Sequence, residues 1–187
     1  MAKRKDDNIQ VKQSKQWMTD ALLLLMEKKP YGQITIKDIA ARADLDRRTF
    51  YRHFSSKEDV LDEYLGSLIL PHLESVRRKG RQTEQEMIVY DFEFLYSHIN
   101  LLRLLKRQNL FGYIMSRYSY YVKRSLEING TAQGGTSPER FRIAFKTGGF
   151  LNIAQQWLED DPVKTPEEMS EIIQRILSNG LSSLCGY

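Results

Sequence analysis

Between residues 44 and 61 the chain reads DLDRRTFYRHFSSKEDVL, crowding Arg47, Arg48 and Arg52 around Phe50, Tyr51 and Phe54. A guanidinium is planar, always charged and carries its donors in a fixed fork, which suits phosphate oxygens and the O6/N7 edge of guanine. With the buried direction of a helix set between Phe50 and Phe54, Arg48 and Arg52 point most directly outward. Thr49 and Tyr51 flank them, and Arg47 splays from the first turn. The aromatics would seat a very short helix and the arginines are what it would present. Catalysis has no comparable pattern: GxSxG, HExxH and a phosphate-cradling Gly-rich loop are missing, and Glu159, Asp160 and Asp161 read as a solvated turn before Pro162. His53, His72 and His98 are isolated in sequence, with no ligand spacing to a second His, Cys or carboxylate. Neither an enzyme nor a metal or cofactor site is expected.

A helix that presents arginines has to be braced from behind. Ile36, Ile39, Ala40 and Ala43 recur at i, i+3, i+4 and i+7, giving one apolar stripe, with Thr35 and Asp38 as a capping pair at its start. The turn ADLD follows, and Asp46 can accept from the first free N–H groups of the helix at 47–53. Ser56 with Asp59 repeats the cap and opens a longer helix through Val60, Leu61, Tyr64, Leu65 and Leu68. Ahead of the pair, a helix over 11–29 sets Trp17, Ala21, Leu24 and Leu25 on one face and stops at Pro30 and Gly32. Short helix, tight turn and short helix with a longer brace is a helix-turn-helix layout, whose second helix enters the major groove.

The rest of the chain keeps a helical period. Helices are expected at about 84–97, 99–107, 109–128, 138–159 and 166–179, with SPERF and TPEEM supplying Ser or Thr caps and proline at the first helical position. The stretch NGTAQGGTS, residues 129–137, reads as a mobile loop. The fold class is therefore all-α, about nine helices, with a helix-turn-helix domain over 1–55 expected to bind DNA and a second helical domain over 56–187. Charge agrees with that division: up to Arg81 there are 17 Lys and Arg against 12 Asp and Glu, and beyond it 11 against 12. A polyanion would meet the N-terminal part. Lys3, Arg4 and Lys5 suit a solvated terminus better than a minor-groove arm. Cys185 stands alone, so no internal disulfide forms, and ALLLLM, residues 21–26, is far short of a membrane span. A soluble, cytoplasmic protein is expected, with no membrane partner.

The residues Thr35, Ile39, Ala40, Ala43, Thr49, Tyr51, Phe54, Lys57 and Glu58 lie without a gap in TIKDIAARADLDRRTFYRHFSSKEDVL. Over these the chain resembles the DNA-binding domain of the TetR/AcrR family of bacterial transcription regulators. It departs at Asp44, where the family usually has glycine; Asp tolerates a left-handed backbone better than most residues. The resemblance implies a double-stranded operator as partner, and regulation and dimerisation as the roles of the helical domain over 56–187. Thr35 and Lys57 would then contact phosphate, Arg47, Arg48 and Thr49 would approach bases, and Tyr51 and His53 would touch backbone or thymine methyls. Lys37 and Arg52 would be further phosphate contacts. His53 reads equally well as a capping or packing residue.

One reader covers one half-site, so a homodimer is expected, built from 138–159 and 166–180 of each chain, where Phe141, Phe145, Ile153, Ile172, Ile173, Ile176 and Leu177 supply apolar faces. The expected function is repression relieved by a small apolar ligand, the alternative being a regulator controlled by a protein partner. A pocket would draw on Tyr90, Phe94, His98, Phe111, Met115, Phe145 and Trp157, although helical spacing explains most of these aromatics as core.

Overall fold

The structure, a computed structural model, describes residues 2–80, 83–128 and 137–178. Most of the expected loop at 129–137 and the thiol of Cys185 lie outside them, as do the side chains of Lys3, Arg4 and Lys5. Nine helices and no strand occur among the described residues: α1 (Ala2–Met26), α2 (Ile36–Arg42), α3 (Arg47–His53), α4 (Lys57–Arg78), α5 (Glu84–Ser97), α6 (Ile99–Arg107), α7 (Phe111–Ile128), α8 (Ser137–Trp157) and α9 (Pro166–Ser178). The chain divides into two units, Met1–Leu68 and Ile69–Tyr187, and the division falls within α4.

In the first unit α1 and α2 pack together and both meet α3. The expected caps are all in place. Thr35 accepts from the Asp38 amide at 3.2 Å while Asp38 accepts from the Thr35 amide at 2.8 Å, a complete capping box. Asp46 accepts from Thr49 at 2.5 Å, and Ser56 from Asp59 at 3.1 Å. These bonds use amides that a helix start leaves without partners.

The phase of α1 differs from the sequence expectation. Met18, Ala21, Leu22 and Met26 are buried, while Trp17 and Leu24 are each 45% exposed. Both stripes share the spacing of 3 and 4, and a sequence this rich in leucine satisfies either; the wall opposite selects the one with Met18. Trp17 and Leu24 instead line an open groove of about 380 Å³ with Asp20, Ala21, Arg42, Ala43 and Asp44. The helix also begins at Ala2, before its apolar period starts.

The second unit packs α5 along α9 and α7 against α8. Phe92 is fully buried, its ring 5.7 Å from Phe150 and 5.5 Å from Trp157, both edge-on. Thr83 and Thr165 cap α5 and α9, the second with Pro166 at the first helical position. The acidic cluster after α8 is not merely solvated: Glu159 meets Lys106 at 2.6 Å, Asp160 meets Lys164, and Asp161 lies 3.8 Å from Arg103. No helix among the described residues is long and apolar enough to cross a membrane.

Candidate nucleic-acid interface and buried polar cluster

The turn between α2 and α3 sets how the second short helix is presented. Asp44 takes φ +55, the Leu45 amide donates to the Ala40 carbonyl at 2.9 Å, and the Asp44 amide donates to that of Ala41 at 3.3 Å. This is a Schellman end with aspartate where glycine is usual. Behind α3, Phe50 and Phe54 are buried with ring centroids 5.9 Å apart, and Tyr51 meets Phe50 edge-on at 5.8 Å. Seven residues cannot hold a helix by themselves, so these rings do it.

With Phe50 turned inward, Arg47, Arg48, Tyr51 and Arg52 are exposed, as are Thr35 and Lys37 at the start of α2; Thr49 is half-buried. The structure brings these groups onto the exposed side of α2 and α3. Two other expected contacts are engaged elsewhere. The Lys57 ammonium donates to the carbonyls of Tyr31 at 2.7 Å and Ile34 at 2.9 Å and sits 4.4 Å from the Tyr31 ring centre. His53 is half-buried, and its Nε2 is buried without a hydrogen bond. Burial lowers the His53 pKa from its ordinary value, and the charges of Arg52 and Lys15 push the same way. The Asp38 carboxyl is held far below the usual carboxylate range, first by Lys29 at 2.7 Å and then by Thr35.

The aromatic residues expected around a pocket separate into groups. Tyr90 and Phe94, one turn apart on α5, stack on the imidazole of His72, with centroid distances of 5.0 and 4.1 Å; His98 lies 4.7 Å from Phe94. Trp157 packs on Phe92 and Tyr96 and donates from Nε1 to the Lys164 carbonyl at 2.8 Å. Phe111 is buried, Met115 half-buried, and Phe145 is 63% exposed on α8.

Sequence reading passed over the polar members of this core. His72 is 7% exposed, and its Nε2 lies 2.8 Å from Asp91 Oδ1. Beside it, Ser75 and Tyr90 share a short hydroxyl contact, and Lys79 Nζ sits 3.5 Å from the centre of the Tyr90 ring. Burial raises the Tyr118 phenol well above its ordinary pKa, with the Asp91 charge as the second cause. Spacing alone hides this cluster, because His72 and Asp91 are 19 residues apart on different helices. Among the described residues no three His, Cys, Asp or Glu side chains converge to hold a metal ion.

A short arginine-bearing helix braced on two others, ahead of a separate helical unit, defines a class of helix-turn-helix regulators. Residues 19–64 match the family model described as bacterial regulatory proteins, tetR family, and residues 82–179 match that of a transcriptional regulator C-terminal region. The chain belongs to the TetR family, whose members are dimeric DNA-binding regulators rather than enzymes. Among solved structures, a TetR transcriptional regulator from Streptococcus agalactiae is similar at 23% identity and TM-score 0.66, covering 92% of this chain and 96% of its own. Lin0861 from Listeria innocua follows at 16% identity and TM-score 0.73, with 91% and 92% covered. The fatty acid degradation regulator FadR from Bacillus halodurans has 18% identity and TM-score 0.61, with 90% and 96% covered. At these identities the likeness is one of fold. No curated protein matches the chain.

Proposed function

We propose that this protein is a homodimeric repressor that reads a palindromic operator through α3 and is released by a small ligand held in the second unit. The observation that carries the DNA reading is the two-sidedness of α3, with Phe50 fully buried and Arg47, Arg48, Tyr51 and Arg52 exposed. Arg47, Arg48 and Thr49 approach base edges, with Tyr51 at backbone or thymine methyls; His53, half-buried with its Nε2 enclosed, packs instead of touching DNA. Thr35, Lys37 and Arg52 answer phosphates; Lys57, whose ammonium is held by the Tyr31 and Ile34 carbonyls, would join them only by leaving those partners. Phe141, Phe145 and Leu177, between 53% and 63% exposed, support a dimer interface over 138–159 and 166–180; Ile173 is buried within the chain. Two recognition helices must then stand about 34–36 Å apart to meet successive major grooves. The α4 helix, with buried Leu65 and Ile69, is the element through which a ligand would alter that distance.

The polar groups set among aromatic rings at His72 support a ligand over the alternative of a partner protein, since ligand sites combine apolar rings with a few convergent polar groups. A binding-site selection with purified protein tests the whole reading. It should return an inverted repeat. On the selected operator, Arg48→Ala should lose about 1–3 kcal/mol and relax the preference at one position of each half-site. Uniform binding across sequences would refute it.

A further inference from the structure

The carboxylate of Asp91 lies at the edge of the second unit's polar core, half engaged by His72. Its side chain is 25% exposed, Oδ1 is taken by His72 at 2.8 Å, and Oδ2 makes no hydrogen bond among the described residues. The His72 side chain behind it is 4% exposed and held face to face by Tyr90 and Phe94, so the imidazole cannot swing to serve the second oxygen. Because a carboxylate only accepts, the ring nitrogen facing it carries the proton, and Asp91 keeps a free acceptor. A ring face in this cluster already accepts a cation. Tyr90 already carries the Lys79 ammonium on its ring at 3.5 Å, and the Tyr118 phenol is kept protonated by burial and by Asp91 itself. A part-buried carboxylate with an open lone pair among ring faces is a receptor for a donor that is both charged and able to lie against aromatics.

We propose that the ligand of the second unit is an organic cation, an amine or amidine on an apolar body, whose charged end binds Asp91 among His72, Tyr90, Phe94 and Tyr118. This rests on the reading of that unit as ligand-responsive, and it departs from a wholly apolar effector. An acid would meet the Asp91 charge, and a neutral alcohol would forgo the ionic part of the bond.

Three probes of matched shape separate the cases: 2-phenylethylamine, 2-phenylethanol and 3-phenylpropanoate, titrated calorimetrically into the full-length protein and then into its operator complex. The amine should bind at least about tenfold more tightly than the other two and release the operator. Asp91→Asn, checked for native helicity by circular dichroism, should erase that preference while leaving the alcohol's affinity unchanged. Asp91→Glu should restore part of it, which separates a charge role from a packing one. If the alcohol or the acid binds as well as the amine and releases the operator, the cation assignment falls and the ligand-responsive reading stands. If none of the three binds or releases DNA, the cation assignment falls, and the ligand-responsive reading loses its support from this core. An unchanged preference in Asp91→Asn overturns the role of Asp91.

Discussion

The two units keep their polar groups in opposite places. In Met1–Leu68 the charges that suit DNA stand outside, over a core of aliphatic side chains and the rings of Phe50 and Phe54; in Ile69–Tyr187 the imidazole of His72 is inside and the large apolar residues Phe141, Phe145 and Leu177 are outside. Burying a polar group costs free energy unless it is paired, and exposing large apolar surface invites a partner. The first unit also exposes Trp17 and Leu24 and buries the His53 Nε2, but its DNA-facing charges lie outside, whereas the second carries the half-open Asp91 carboxylate within and the still more exposed Phe141, Phe145 and Leu177 without. That contrast fits the proposed division between a unit that reads DNA and one that takes a ligand.

The largest effect should come from the ring that holds the reader in place. Phe50→Ala removes a fully buried side chain that meets the rings of Tyr51 and Phe54, and should destabilise the first unit by about 3–5 kcal/mol in urea unfolding. Operator binding would fall with it. A loss below about 1 kcal/mol would mean that caps, not rings, hold α3.

Lys57 tests whether the reader's charges are all on the outside. Lys57→Met keeps most of the apolar stem but strips two donors from the carbonyls of Tyr31 and Ile34, and should cost about 1–3 kcal/mol of stability, unlike Arg48→Ala, which should leave stability unchanged. If the variant unfolds like wild type and instead flattens the salt dependence of operator binding, Lys57 belongs with the phosphate contacts alone.

How far each unit was legible follows from the reach of its contacts. Thr35 with Asp38, Asp46 with Thr49, and Ser56 with Asp59 are each three residues apart, so the caps and the boundaries of α2, α3 and the start of α4 could be read directly. The face of α1 could not, because choosing between Trp17 and Met18 needs the wall opposite. His72 with Asp91 and Ser75 with Tyr90 join different helices over 19 and 15 residues, and no local pattern announces such a pair. The inward turn of the Lys57 ammonium is hidden for the same reason, its carbonyls lying 26 and 23 residues back.

Asp44 sharpens the comparison from the side of strain. Its φ of +55 is costly for any residue with a Cβ, and the side chain is exposed. Asp44→Gly should therefore raise stability by about 0.5–1 kcal/mol with the Schellman bonds intact. A loss would show that the aspartate makes a compensating contact in the turn.

The smallest effect concerns His53, the one group of the reading helix whose ring nitrogen is buried without a partner among the described residues. Its pKa is lowered from 6.5, first by desolvation, then by Arg52 and Lys15, against a weaker opposing pull from Glu63. The unfolded chain therefore binds this proton more readily than the folded one. By linkage the contribution to stability is fully present above pH 6.5 and declines as pH falls below it, levelling off once the folded-state value is passed. His53→Gln should leave stability near pH 7.5 close to wild type and make the fall between pH 7 and 5 shallower, read as the difference between the two urea midpoints at each pH. Every group other than residue 53 is common to the two proteins, so its contribution cancels in that difference. Parallel curves over this range would mean that His53 takes up its proton as easily folded as unfolded, and would return it to the outward-facing groups of α3.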